Sequence, residues 1–228
     1  MIDTFKEWFN GGIGFLKKYY KWYLLVAVIC TAINWLLQLF VTTENPLIIM
    51  MINVAGLVFV SALYYGLYRL SITGSLDMSY WNHFFSIIPE LLIATAVFIT
   101  LAFLGMILFI IPGIIVMTSF MFFQYLMLEF DIRIQDAFIY SKMITQGKRI
   151  PLFLVILLST LASGLEVLFF IGYNAPDQVT QNFRLATGIL YIATTFLIQP
   201  LSLAVLIYAY SQLRSKLATE KAKNQPAE

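Results

Sequence analysis

The chain has 228 residues, 61% of them hydrophobic and only 11% charged, with a net charge of +2 and a mean hydropathy of +0.85. A soluble domain carries about 25% charged residues, so this composition excludes an ordinary water-soluble globule. The cationic excess is too small and too scattered for a nucleic-acid surface, and the single cysteine, Cys30, can form no internal disulfide.

A bilayer core about 30 Å thick needs about 20 helical residues, and the apolar runs can be taken in order on that scale. Ile2, Phe5 and Phe9 stand at i, i+3 and i+7 with Trp8 beside them, which predicts an amphipathic helix lying in the headgroup region. Lys17, Lys18 and Lys21 then precede an apolar run, as in a signal peptide. The run from Tyr23 to Val41 is too long for one and no small-x-small cleavage site follows it, so it reads as a retained first span over 20–42. Thr42-Thr43-Glu44-Asn45-Pro46 turns the chain into a second span over 46–70. Trp81, Phe84, Phe85 and Ile88 form a second amphipathic stretch, in which His83 is expected to face headgroups.

Spans three and four follow over 87–110 and 112–130, with Pro112-Gly113 as the expected turn between them. Ala137, Tyr140, Ser141 and Ile144 repeat the amphipathic spacing, and Gly147 supplies a stop before Lys148, Arg149 and Pro151. Spans five and six are expected over 150–173 and 186–212. The whole chain, 1–228, is thus expected to be one all-α polytopic membrane domain of six transmembrane helices in three hairpins, each preceded by an interfacial helix. That recurring order is consistent with an internal repeat, although residue identities barely correspond.

Charge orients this arrangement. Lys6, Lys17, Lys18 and Lys21 precede span one, Arg69 follows span two, and Arg133, Lys142, Lys148 and Arg149 lie between spans four and five. Arg214, Lys216, Lys221 and Lys223 follow span six, leaving only Arg184 on the opposite side. Lys and Arg mark the cytoplasmic face, so both termini are expected inside.

Polar side chains at depth are the default functional candidates in a membrane protein. Glu166 is the only acid well inside an expected span, about seven residues or 10 Å from its outer end. Matching depths on the other spans reach Asn53, Ser119 and Thr195, with Asn34 close by. One reading is a polar cluster with Glu166 as a protonatable centre that couples proton movement to a substrate or holds a polar headgroup. The other is interhelical packing, worth about 0.6 kcal/mol per hydrogen bond. Gln199-Pro200 predicts a helix break, which kinks a span or marks a binding site.

Catalytic and metal signatures are missing from the sequence. One His and one Cys cannot build a zinc site. Gly11, Gly12 and Gly14 are followed by no Gly-Lys-Ser/Thr and are not a P-loop. No G-x-S-x-G elbow occurs, and Asp131 and Asp136 have no partner base nearby. The expectation is a protein that is not an enzyme and uses no metal or cofactor.

Leu108-Phe109-Ile110-Ile111-Pro112-Gly113-Ile114-Ile115 leads through an apolar run to Leu128-Glu129-Phe130-Asp131, then to Asp136-Ala137-Phe138, Ser141-Lys142-Met143 and Gly147-Lys148. This order resembles the YciC-type bacterial inner-membrane proteins and the related membrane domain attached to some glycerophosphodiester phosphodiesterases. The match covers about residues 105–160; elsewhere agreement is in hydropathy and span count. The resemblance implies a multi-pass protein of the bacterial cytoplasmic (inner) membrane, with Pro112-Gly113 opening a span and an Asp136-Ala137-x-x-x-Ser141 amphipathic helix. The phosphodiesterase activity belongs to a separate catalytic domain and is not implied here. Physically, Asp131 or Asp136 is suited to cap the helix carrying Ser141, and Ala137 and Ser141 to let that helix pack closely. The expected function is binding or transport of a lipid or small amphiphile, with membrane lipids as partners. The alternative is a non-catalytic structural or regulatory partner of another membrane protein. Oligomeric state cannot be read from the chain.

Overall fold

In lipid every backbone N–H and C=O needs a partner within the chain, so long apolar runs fold as helices. The computed structural model describes residues 2–40, 46–75, 79–160 and 181–224, and every regular element among them is helical. In order these are α1 (Ile2–Phe40), α2 (Pro46–Thr73), α3 (Ser79–Ser86), α4 (Ile88–Leu108), α5 (Ile110–Phe120), α6 (Phe123–Phe130) and α7 (Ile134–Thr145). They are followed by α8 (Arg149–Thr160), α9 (Gln181–Ala193), a π-helical turn (Thr194–Ile198) and α10 (Gln199–Asn224).

Four stretches are long and apolar enough to cross a membrane: Met51–Thr73, Ile88–Leu108, Ile110–Phe130 and Gly188–Ser215. Along α4, Ile93, Val97, Leu101 and Leu104 make an exposed apolar stripe, the lipid-facing side of a transmembrane helix. The expected fifth span is described only through α8, and Glu166 lies outside the described residues.

The first expected surface helix is not separate. Residues 2–40 form one helix whose only non-helical backbone is a kink at Tyr19 (φ −121°, ψ 23°). The reason is packing. Trp8 and Gly12 are buried, with Phe5, Phe9, Phe15 and Leu16 against the core. Gly12 lies so close to α10 that a Cβ there would stand 2.7 Å from the Val205 Cα, and one at Gly11 would run into the Tyr208 ring. These glycines thus serve helix–helix approach.

The turn between α4 and α5 falls at Phe109, in extended conformation (φ −162°, ψ 142°), and not at Pro112-Gly113. Pro112 sits inside the first turn of α5, where a missing N–H costs nothing because no carbonyl precedes it in the helix. Gly113 faces back toward Gly105: a Cβ on Gly113 would stand 2.9 Å from the Met106 nitrogen. The pair therefore lets α4 and α5 meet almost backbone to backbone. The expected span 112–130 is interrupted by a break at Met121-Phe122 between α5 and α6.

α3 and α7 form where the spacing predicts, and Gly147 ends the α7 turn with φ +76°, a conformation glycine adopts without strain. Asp131 and Asp136 do not cap α7: its N-cap is Arg133, with no side-chain bond to the cap. Asp131 instead ends α6 in the left-handed region (φ 33°), which Asp tolerates better than most residues, while Asp136 places its charge in the first turn of α7. His83 is half-buried rather than turned to headgroups. Its Nε2 donates to the Met127 carbonyl oxygen (3.3 Å), tying α3 to α6.

Candidate functional site

Three helices carry the same local pattern, a tyrosine followed four residues later by a charge: Tyr65–Arg69 on α2, Tyr125–Glu129 on α6 and Tyr210–Arg214 on α10. Residues i and i+4 share one helical face, so each tyrosine ring lies one turn inside its charge. In the fold the three stretches converge. Tyr210 packs edge-on to Tyr68 (ring centroids 4.9 Å) and beside Tyr125 (5.0 Å), while Tyr65 lies against Tyr68, Tyr80 and Tyr125 at 5.7, 5.9 and 6.4 Å. Burial pushes the Tyr80 hydroxyl up to about 12, with Arg69 pulling the other way and Tyr65 adding to the rise. Tyr80 is therefore a neutral hydroxyl at any physiological pH.

Above the tyrosines the charges close a small system. Glu129 accepts a hydrogen bond from the Tyr210 hydroxyl on Oε2 (2.6 Å) and pairs through Oε1 with Arg214 Nε. The Arg214 guanidinium also stands over the Phe130 ring, 5.7 Å from its centroid, a cation–π contact. The carboxylate is held on both oxygens and is only 10% exposed, whereas Arg214 is 42% exposed. The acid is thus the fixed member of the pair and the arginine the one able to re-aim.

These residues line a cavity of about 370 Å³, bounded by Tyr65, Tyr68, Arg69, Ile72, Thr73, Glu129, Phe130 and Arg214. That volume is near the small end of ligand pockets, which run from about 300 to 1,000 Å³. Two guanidinium groups against one carboxylate leave it one positive charge in excess. Arg69, Arg214, the tyrosine hydroxyls and Thr73 supply donors, and Ile72 and Phe130 an apolar wall. The arrangement is suited to holding an anionic or strongly accepting head group beside an apolar tail. Among the described residues no three His, Cys, Asp or Glu side chains group to hold a metal ion.

The expected polar cluster is distributed differently. Asn34 lies on α1, its side chain outside the described residues, as is the whole of Glu166. Asn53 is exposed on α2. Thr195 is buried and its Oγ1 has no partner among the described residues. Ser119 acts through its backbone: the break after α5 frees its carbonyl, which accepts from Ser141 Oγ (3.0 Å), with Thr145 Oγ1 3.1 Å away. Ser141 in turn accepts from the Phe122 N–H (3.2 Å), so one hydroxyl repairs both sides of the break. Ala137 and Ser141 are both fully buried.

Gln199-Pro200 also marks a repaired break. Gln199 N–H bonds back to the Thr194 carbonyl, an i to i−5 step that defines the π turn. Pro200 has no N–H for the carbonyl four residues earlier, and that carbonyl, on Phe196, accepts from the Tyr20 hydroxyl (3.3 Å). Thr31 Oγ1 donates to Gln199 Oε1 (3.4 Å). The break is a docking point for α1.

No protein family matches the chain, and no characterised protein or solved structure matches it either.

Proposed function

We propose that the chain is a six-span, non-enzymatic protein of the bacterial cytoplasmic membrane, with both termini inside, that binds or moves a lipid or small amphiphile. The polar head of this ligand enters the cavity between Arg69, Glu129 and Arg214. The observation that carries the reading is that cavity. It gathers two guanidiniums, a carboxylate and hydroxyls beside apolar walls, in a chain that exposes many large apolar side chains among its described residues. Every Lys and Arg but Arg184 falls on one side of the expected spans, which supports both the orientation and a cytoplasmic position for the cavity. The likeness to YciC-type proteins over about residues 105–160 supports the membrane assignment.

The test is native mass spectrometry of the full chain extracted with its own lipids, beside Thr73→Trp. Thr73 lines the cavity and is exposed, so the indole fills the space without removing a charge. A defined amphiphile on the wild type and its loss from Thr73→Trp is the expected result. A protein equally bare, or equally loaded, in both forms overturns the reading and favours a structural or regulatory partner of another membrane protein.

A further inference from the structure

The geometry points to a phosphate-bearing anion, held by Arg69 and Arg214 in the α2–α6–α10 cavity, with Glu129 as the built-in competitor that holds Arg214 when the site is empty. This rests on the amphiphile reading above and names the head group it requires. Guanidinium donors are arranged as a planar fork that matches phosphate or carboxylate oxygens. Pairing through Nε leaves the other donors of Arg214 for a second acceptor, and its 42% exposure leaves it room to turn. Arg69, also lining the cavity, comes from a different helix. An anion between the two guanidiniums would cross-link α2 and α10.

Charge decides the ligand class. With Glu129 ionised, the lining carries one cation more than it carries anions. A singly charged phosphodiester neutralises it, whereas a zwitterionic head would leave the excess in place and a cationic head would add to it. Size agrees: about 370 Å³ accommodates a phosphate with a small substituent, while Ile72 and Phe130 on the rim offer the apolar contact that glycerol carbons and the first methylenes need. Glu129 cannot leave its place, because Tyr210 holds its other oxygen. The carboxylate therefore repels the incoming anion, while its hold on Arg214 is the contact the phosphate replaces.

The full chain in detergent is titrated calorimetrically with dioctanoyl phosphatidylglycerol, with dioctanoylglycerol, which lacks the phosphate, and with inorganic phosphate. Phosphatidylglycerol is expected to bind at least tenfold tighter than the diacylglycerol. Arg69→Gln and Arg214→Gln should each weaken it at least tenfold and weaken diacylglycerol binding by much less. Glu129→Gln should tighten it at least threefold, because it removes the competitor and keeps the Tyr210 contact. Inorganic phosphate binding within tenfold of the lipid would identify a soluble phosphate as ligand; much weaker binding would identify the lipid head group. Both results uphold the phosphate site.

Equal binding of the two lipids, indifferent to both arginines, overturns the phosphate assignment and leaves the amphiphile reading standing. Phosphate binding without either lipid does the reverse, and binding of none of the three removes both. A Glu129→Gln protein that melts like the wild type yet binds phosphatidylglycerol more weakly makes Glu129 a ligand, and the competitor role falls. Should Glu129→Gln fail to fold, Arg69→Gln, which keeps both partners of the Glu129–Tyr210 bond, decides the phosphate site.

Discussion

The two ends of the α5–α6 rod solve opposite problems. At the α4–α5 turn, residues 101–117 include no polar side chain, and Leu108, Phe109, Ile110 and Ile111 are 68–73% exposed. That end is held by Gly105 and Gly113 at near-backbone contact, which is how helices associate where lipid competes for every apolar contact. At the other end Glu129 is clamped by Tyr210 and Arg214 beside a cavity. Shape holds the first end and charge the second. The cavity lined by Arg69, Glu129 and Arg214 lies at the charged end.

Four substitutions test that division, from the largest expected loss to the smallest. Gly113→Leu places side-chain carbons where the Met106 backbone lies, and overpacking of this kind costs about 3 kcal/mol. The thermal midpoint in detergent should fall furthest for this variant, while ligand affinity of the folded fraction at the Arg69 cavity stays unchanged. A wild-type midpoint would mean the hairpin is not held by this approach. Ser141→Ala orphans the Phe122 N–H and removes one of two hydroxyl donors to the Ser119 carbonyl in a buried site; such a loss costs about 2 kcal/mol. Its denaturation midpoint should lie between those of the first and third variants.

Tyr210→Phe removes the neutral donor to the Glu129 carboxylate, a charge-assisted bond worth about 1.5 kcal/mol. A loss larger than that of Gly113→Leu would reverse the comparison, placing more stability in the charged end than in the hairpin. Tyr20→Phe frees the Phe196 carbonyl at an exposed position and should cost about 0.5 kcal/mol. A drop several times that size would show that the α1 contact at the Pro200 break is cooperative with the rest of the α1–α10 packing.

Much of the fold is legible in the sequence because lipid allows few alternatives. Apolar length and breakers locate α2, α4 and α10, and the i, i+3, i+4, i+7 spacing locates α3 and α7. Pro112 misleads about the turn because a proline inside the first helical turn looks, in sequence, like the residue that ends the previous helix. Ile2–Lys18 has the spacing of a surface helix, yet Gly11 and Gly12 let it pack on α10, which only the partner helix reveals. The site was half visible. Tyr65–Arg69, Tyr125–Glu129 and Tyr210–Arg214 each declare a shared face by their spacing, but attention to the most deeply placed acid leads to Glu166 instead.

Helical character and a place in a membrane are legible in the chain before any fold, because hydropathy acts locally along it. The tertiary structure alone decided that three tyrosine–charge faces meet, that Ser141 mends the break at Phe122, and that Tyr20 mends the break at Pro200. Each of these joins groups far apart in sequence, and an i, i+4 pattern fixes which side of a helix a residue occupies but not which other helix it will face.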